Sequence, residues 1–175
     1  MKRITLVLFA IASGFAVGNL YFVQPLLGRI STDLGTSVTH NGLLVTLVQL
    51  GYVAGIIFLL PLGDVLNRKL FVPIMMTIAG IGQLAISQST SFTLVAVAFV
   101  FVGFSTISGQ VLIPLTTELS DDENRGKNSS FVVAGMLIGI LGARTASGVL
   151  SDLVTWHGTF IIFGLLNILL AWTLF

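Results

Sequence analysis

Residues 41–87 read NGLLVTLVQLGYVAGIIFLLPLGDVLNRKLFVPIMMTIAGIGQLAIS, two apolar runs joined by a short polar segment. A helix needs about 20 mostly apolar residues to cross the hydrocarbon core of a bilayer, and each run comes close to that length. Strands of a membrane barrel would instead alternate apolar and polar residues over about ten positions. Because both runs are continuous, this stretch predicts two transmembrane helices with a turn at one membrane surface.

The same pattern continues in both directions along the chain. Six runs are predicted to span the membrane, at about 4–27, 41–62, 70–87, 92–115, 129–150 and 158–175. The segments between them are short, so residues 1–175 are expected to form one six-helix bundle with no soluble domain. Lys2 and Arg3 before the first run would also fit a secretory signal peptide. That run is too long for a signal peptide, and an uncleaved first helix is the better interpretation.

The composition fits a helical membrane protein and excludes other classes. Of 175 residues, 55% are hydrophobic and 9% charged, with a net charge of +1, whereas soluble domains average about 25% charged residues. So few charges cannot cover a water-facing surface, and they form no basic patch for nucleic acid. The chain has no cysteine, which excludes a disulfide framework and thiolate metal sites. We therefore expect an all-α integral membrane protein whose partner is the lipid bilayer.

The charges between the runs predict an orientation. The N-terminal segment and the second and fourth loops together hold six basic residues: Lys2, Arg3, Arg68, Lys69, Arg125 and Lys127. The first, third and fifth loops together hold one, Arg29. Lys and Arg concentrate in cytoplasmic loops of membrane proteins. Both termini are therefore expected in the cytoplasm, and the loops near Asp33, Ser89 and Asp152 outside.

The segment between the fourth and fifth runs is the longest polar stretch. Ser120 and Glu123 have the S-x-x-E spacing of a helix capping box. The spacing predicts a short interfacial turn of helix that leads into the fifth run.

An offset of 89 residues maps Gly14 onto Gly103 and Pro25 onto Pro114. This offset pairs the first run with the fourth and fits a three-plus-three inverted repeat, an arrangement common in transporter halves. Small residues four positions apart let membrane helices approach closely. Such pairs, predicted to be packing positions, are Gly14 and Gly18, Gly51 and Gly55, and Gly135 and Gly139.

The turn between the second and third runs carries an i,i+4 pair of opposite charge, Asp64 and Arg68. The two side chains would share a face if the helix continues through them. One interpretation is a positive cluster beside a helix-ending turn. The other is an inner gate whose ion pair breaks as two groups of helices rock.

Arg144 lies within the fifth run, about seven residues before its outer end. A charged side chain at the centre of a membrane helix costs about 2.5–3.5 kcal/mol on insertion scales. Arg144 is therefore expected to face the bundle interior or a wet cavity, where it would bind an anionic solute group or pair with a carboxylate. The alternative is that it snorkels to the outer interface.

Amide side chains inside the runs form a second set of candidates, because hydrocarbon cannot satisfy their hydrogen bonds. Either they line a solute path, or they join helix to helix. Tyr21 and Gln24 share a helix face, and Gln24 and Gln110 are favoured for the path. The candidates for the path are Tyr21, Gln24, Gln49 and Gln110, while Asn19 is a candidate structural residue and Gln83 a weaker path candidate.

The order and spacing of four segments resemble the major facilitator superfamily. Its signature loop reads roughly G-x-L-a-D-R-x-G-R-R, and Asp64, Arg68 and Lys69 match it. Leu60, Val65 and Asn67 replace its first glycine, first basic residue and second glycine. The other three segments resemble a bacterial small-molecule efflux branch: GNLYFVQPLL at 18–27, GQVLIPLTTELSDDENRGK at 109–127 and GMLIGILGARTASGVLSDLVTWHGTF at 135–160.

The resemblance implies the N-terminal six-helix half of a twelve-helix major facilitator fold. It assigns the inner gate to Gly63, Asp64, Arg68 and Lys69. It also implies transport of a small solute by alternating access, with proton-coupled efflux in the intact protein of the bacterial inner membrane. The missing C-terminal half or a second copy is the expected protein partner. No cofactor, metal or enzymatic activity is expected.

Some positions depart from the superfamily pattern. Phe99 stands where an arginine is frequent in the fourth helix, and Ile140 replaces a proline of the fifth. Ala143 and Arg144 replace a glycine pair there, which weakens an assignment to drug–proton antiport. A truncated, transport-inactive remnant or structural bundle is therefore the alternative. An intramembrane enzyme is disfavoured, since no run carries a paired acid, a Ser/His pair or a metal set, and nothing specifies the ring of like residues that a channel would need.

Overall fold

The computed structural model describes residues 1–174, which form a bundle of α-helices connected by short turns. Within that range the α-helices are α1 Arg3–Gly18, α2 Leu27–Asp33, α3 Val38–Val65, α4 Arg68–Ser87, α5 Phe92–Ser105, α6 Ser108–Glu118, α7 Arg125–Leu153 and α8 Trp156–Thr173. Short 3₁₀ turns at Gln24–Leu26 and Asp122–Asn124 precede α2 and α7. The predicted all-α class is confirmed over these residues.

Five stretches of helix within the described residues are long and apolar enough to cross a membrane. They correspond to the second to sixth predicted runs: Thr39–Val65, Arg68–Ser87, Phe92–Glu118, Asp122–Leu153 and Trp156–Thr173. The first run gives a shorter apolar helix, the 16-residue α1. The chain is thus a multi-pass membrane protein.

The prediction of one continuous helix is wrong for the first and fourth runs. In the first, α1 ends at Gly18 and residues 19–23 form turns before the 3₁₀ segment. In the fourth, α5 ends at Ser105 and α6 begins at Ser108. Both runs that the predicted repeat pairs are thus interrupted, but the breaks at 19–23 and 106–107 are not related by its offset of 89 positions.

Tightened backbone hydrogen bonds carry the chain through both interruptions. Gln24 N–H donates to Tyr21 O over 3.2 Å, and Gln110 N–H donates to Ile107 O over 2.9 Å. These i→i−3 bonds are of the 3₁₀ type, which is common where a helix is strained. A proline follows each of them, Pro25 and Pro114, and proline lacks an N–H and crowds the preceding turn.

Most of the other helices extend beyond their apolar runs. α3 covers Val38–Val65 where 41–62 is predicted, and α7 covers Arg125–Leu153 where 129–150 is predicted. The backbone hydrogen bonds of a helix form whether its side chains are polar or apolar. The apolar pattern therefore marks only the part of each helix that fits in lipid. α8 covers Trp156–Thr173, and Phe175, the last residue of the sixth predicted run, lies outside the described residues.

The short turn predicted before the fifth run is confirmed as Asp122–Asn124, but the predicted capping box is wrong. Asp121 is the residue before that turn, and no side chain caps it. Ser120 Oγ instead donates to Thr116 O over 2.7 Å and accepts from Asn128 Nδ2 over 2.9 Å. The last carbonyls of a helix have no partner within it, and Ser120, just past the end of α6, supplies one.

The helices pack as three close pairs, α1 with α7, α3 with α5, and α4 with α8. Glycines lie at each crossing and allow backbone contact, as is usual between membrane helices. A Cβ on Gly80 would lie 2.7 Å from Gly164 O, and one on Gly139 would overlap the Gly14 backbone. In the α3–α5 pair, a Cβ on Gly103 would overlap Val48 O. The predicted packing role of the glycines is confirmed.

Two apolar clusters fill the bundle, one toward each end. We name the end where α3 meets α4 the Arg68 end, and the end where α2 meets α3 the Asp33 end. Phe22, Phe99 and Phe160 are fully buried in the cluster toward the Asp33 end. Met76 and Leu112 are fully buried in the cluster toward the Arg68 end. This packed core fixes the helix faces that carry polar side chains.

Candidate functional site

Three amide side chains meet in the core, one each from the end of α1, from α4 and from α8. Gln83 Nε2 donates to Asn19 Oδ1 over 3.0 Å. Asn167 Nδ2 donates to Gln83 Oε1 over 2.8 Å and to Asn19 Oδ1 over 3.1 Å. All three residues are at most 1% exposed. The amides are buried and satisfy one another, so this triad joins helix to helix.

A second polar group lies at the Arg68 end, where one guanidinium joins three helices. Arg68 Nη2 lies 2.7 Å from Asp64 Oδ1 at the end of α3, and Nη1 lies 3.1 Å from Glu118 Oε2 at the end of α6. Arg68 Nε also donates to Gly63 O over 3.2 Å. We call Asp64, Arg68 and Glu118 the Arg68 clamp. Arginine suits this position because its planar fork presents several donors at fixed angles.

The local sequence explains how the clamp forms. α3 runs through Asp64 to Val65, and Leu66 then adopts an extended conformation. Asn67 caps α4, and its Oδ1 accepts from the Lys69 N–H over 3.1 Å. Arg68 is therefore the first residue of α4 and turns back toward the end of α3. The Lys69 side chain is exposed and takes part in no ion pair among the described residues.

A third polar group lies between α3, α6 and α7. Gln110 Nε2 donates to the Tyr52 hydroxyl over 2.9 Å, and the Met136 sulfur lies 4.0 Å from the same nitrogen. Tyr21, after the end of α1, packs against the same apolar cluster as Tyr52. We call Tyr21, Tyr52, Gln110 and Met136 the polar patch. Three of its members are partly exposed, and Met136 is buried.

The other path candidates stand apart from this patch. Gln49 and Arg144 are exposed, and Gln24 is half-buried. Among residues 1–174 none of these three side chains makes a hydrogen bond or ion pair. Arg144 is eight residues beyond Met136 on α7, about 12 Å along the helix axis. The structure therefore joins Gln110 to Tyr52, with Tyr21 packed against the same apolar cluster as Tyr52, and it leaves Gln24, Gln49 and Arg144 with unused hydrogen-bonding groups.

Charged and aromatic side chains also connect the helices at the Asp33 end. Arg29 on α2 contacts the Asp152 carboxylate and the Ser151 carbonyl at the end of α7. Asp33 accepts from Trp156 Nε1 over 3.0 Å, and His157 Nε2 lies 3.7 Å from its Oδ2. These contacts attach α2 to α7 and α8, the helices against which the far end of the first run packs.

Sequence reasoning missed three residues that these groups contain. Tyr52 is one aromatic residue in an apolar run, and Asn167 is one amide in another, so neither differs from a packing residue by pattern. Glu118 was counted with a polar loop, and it meets Arg68, fifty positions away, only in the folded chain. A search for polar residues at equivalent depths of neighbouring runs would have identified Tyr52 as a candidate.

The sequence is similar to a known family of membrane proteins. A sequence model described as Major Facilitator Superfamily matches residues 6–175. The "Uncharacterized transporter YgaY" of Escherichia coli O157:H7 is 37% identical over 166 residues, which are 95% of this chain and 42% of that protein. The "Probable transporter SCO4007" of Streptomyces coelicolor is 30% identical over 159 residues, 91% of this chain and 37% of that protein.

A further relative carries a name that states its membrane. The "Inner membrane transport protein YnfM" of Escherichia coli K12 is 30% identical over 166 residues, with 89% of this chain and 37% of that protein covered. This chain therefore spans about two fifths of the length of these three relatives.

Proposed function

The chain belongs to the major facilitator superfamily, and we propose that it is the N-terminal six-helix half of a transporter that moves a small solute by alternating access. In the intact protein we assign it proton-coupled efflux across a bacterial inner membrane. The superfamily match over nearly the whole chain carries this proposal. The relatives named as transporters support it, and the name of one of them places that protein in the inner membrane.

We assign the Arg68 end to the cytoplasm, where both termini would lie. The distribution of basic residues supports this orientation, because Lys and Arg favour cytoplasmic loops. The Asp33 end, with Arg29 as its one basic loop residue, would then face outward. Impermeant maleimide added to sealed, right-side-out vesicles tests the assignment: Thr90→Cys, at an exposed position of the loop near Ser89, should react, and Leu66→Cys should not.

The inverted repeat gives the bundle a way to rock. The helix pairs support the repeat: exchanging the first three runs with the last three turns the α1–α7 pair into the α3–α5 pair. The same exchange maps the α4–α8 pair onto itself. Transporters built from such repeats move one bundle against another around a central solute site.

The Arg68 clamp is proposed as the inner gate. Its members come from α3, α4 and α6, and the adjacent Gly63 and Lys69 lie on α3 and α4. The carboxylates are more than half exposed, so each ion pair contributes at most about 1 kcal/mol. Contacts of that strength can form and break during a transport cycle, which suits a gate better than a permanent structural link.

The solute path is proposed to follow the polar patch together with Gln24, Gln49 and Arg144. Their unused hydrogen-bonding groups support this assignment, because hydrocarbon offers such groups no partner. Arg144 is the charged member, and we assign it the binding of an anionic group on the solute. In a membrane helix an arginine with no partner favours a wet cavity.

Transport by the intact protein tests the proposal. Cells that lack the gene would be compared, by profiling of internal and external metabolites, with cells that express the wild type or Arg144→Ala. A solute that accumulates inside the deletion strain, and that the wild type but not Arg144→Ala expels, would support the function. Equal profiles in all three strains would favour the transport-inactive bundle instead.

A further inference from the structure

We propose that the Tyr52 hydroxyl and the Gln110 amide form a recognition pair for an amide-type group on the solute, that is, a hydrogen-bond acceptor beside a donor. This inference rests on the proposed transport function, since it concerns the same path. It adds Tyr52 to the candidates for solute contact and names the chemistry that the path selects.

The hydrogen-bonding capacity of the pair is only partly used. The Tyr52 hydroxyl accepts from Gln110 Nε2 over 2.9 Å, and a phenol can also donate one hydrogen bond. The Gln110 side-chain carbonyl can accept. Within residues 1–174 the structure gives neither group a further hydrogen bond. The pair therefore presents one donor and one acceptor side by side, the complement of an amide.

This complementarity does not depend on which way round the Gln110 amide is placed. If its oxygen faces Tyr52, the hydroxyl donates to that oxygen and its own lone pair becomes the acceptor. The amide nitrogen of Gln110 then supplies the donor. In both arrangements an acceptor and a donor remain for a third group.

The bundle satisfies its structural amides differently. Asn19, Gln83 and Asn167 are at most 1% exposed and bond to one another. Tyr52 and Gln110 are only half-buried, and their unused groups lie on a partly exposed face. An unmet donor or acceptor at membrane depth is costly unless water or a solute reaches it. The pair is therefore placed to exchange water for a solute.

The neighbours of the pair indicate what lies beside the recognised group. The Met136 sulfur is 4.0 Å from Gln110 Nε2, and Tyr21 packs against the same apolar cluster as Tyr52. Thioether and aromatic side chains adapt to flat or irregular apolar surfaces. Neither carries a charge, so this part of the path fits an amide attached to an apolar or aromatic body.

Three single-ring probes of similar size test the inference in the intact protein in nanodiscs. Benzamide carries an acceptor and a donor, acetophenone only an acceptor, and isopropylbenzene neither. Ligand-detected NMR titrations, corrected with empty nanodiscs, would give the dissociation constants. We expect the wild type to bind benzamide about tenfold more tightly than acetophenone, with isopropylbenzene weakest.

The double variant Tyr52→Phe/Gln110→Leu should reduce the benzamide preference to about onefold, since it removes both the hydroxyl and the amide and keeps the apolar bulk. Thr77→Val is the matched control, because the Thr77 hydroxyl bonds to Pro73 O within α4, and it should keep the full preference. Tyr52→Phe/Gln110→Met serves as a second double variant should the first fail to fold, and it should lose the preference too. A preference that survives in the double variants, or that is absent from the wild type, would overturn the inference.

The same data separate this inference from the function on which it rests. If transport requires Arg144 but the probes bind without preference, the recognition pair is wrong and the transporter assignment stands. If transport is absent while the preference is present in the wild type and lost in the Tyr52→Phe/Gln110→Leu double variant, the pair is a binding site without the proposed transport.

Discussion

Arg68 and Glu118 are fifty positions apart in the chain, yet the guanidinium Nη1 and the carboxylate Oε2 lie 3.1 Å apart. The pair links the start of α4 to the end of α6, while Asp64 holds the same guanidinium to the end of α3. One side chain thus ties three helices together at a single end of the bundle. A link of this kind opens only if the helices separate there.

Glu118→Gln should weaken this link without unfolding the protein. Exposed ion pairs contribute at most about 1 kcal/mol, so loss of one should raise the open fraction at the Arg68 end by up to about fivefold. The labelling rate of Leu115→Cys, which is buried beside the clamp, would measure that fraction. Asp122→Asn, which removes a carboxylate paired among the described residues with Arg125 alone, should leave the rate unchanged. Equal rates in both variants would exclude a gating role for Glu118.

Arg144→Ala should abolish transport and preserve expression. The side chain has no partner within the described residues, so its removal breaks no contact of the bundle and deprives the path of its charge. Efflux of the solute identified by metabolite profiling would be the readout. Arg125→Ala, which removes an exposed arginine at the Arg68 end, should retain efflux. Wild-type efflux by Arg144→Ala would mean that this arginine snorkels to the interface.

Gly139→Ala should destabilise the bundle far more than Gly142→Ala. A Cβ on Gly139 would overlap the Gly14 backbone, whereas one on Gly142 meets nothing within 4 Å. Both substitutions add one methyl group to α7, so they differ only in the space they meet. Overpacking typically costs about 1–3 kcal/mol. Thermal unfolding in detergent would measure the difference, and equal midpoints would show that α1 and α7 do not cross at Gly139.

Asn167→Leu should lower the stability of the bundle with no direct effect on solute contact. The change leaves Asn19 and Gln83 with one partner fewer in a region without water, and an unmet buried polar group costs about 1–3 kcal/mol. Thermal unfolding would measure the loss. Thr77→Val, which removes a hydrogen bond within α4, is the control and should cost much less. An Asn167→Leu variant as stable as the wild type would mean that the triad does not hold α8 in place.

The apolar runs predicted most of the fold, because lipid requires long apolar segments and leaves few alternatives to helices. The interruptions near Gly18 and Ile107 could not be located from hydropathy, since a tightened turn and a regular helix carry the same apolar residues. The prolines that follow them were visible, but proline also occurs inside the uninterrupted helices α3 and α4. The position of a break depends on tertiary packing as well as on the proline.

The candidate residues divide in a similar way. Asp64 and Arg68 were predictable as a pair, because side chains four positions apart lie close together when the backbone between them makes a turn like that of a helix. Glu118 and Tyr52 were not predictable, since their partners lie on other helices. Contacts between helices depend on crossing points, which glycine positions suggest but do not fix.

The central claim is that the face of α3 that carries Gln49 and Tyr52 borders a solute path, and that this path opens in turn to the two sides of the membrane. Gln49→Cys tests it directly in the intact protein. This chain contains no cysteine, and any cysteine elsewhere in the intact protein would first be replaced. Impermeant maleimide would be applied from either side of sealed vesicles, to the variant alone and in an Asp64→Asn background. The account predicts reaction from both sides, with Asp64→Asn raising the rate from the Arg68 side and lowering it from the Asp33 side. No reaction from either side would place Gln49 against lipid and contradict the account.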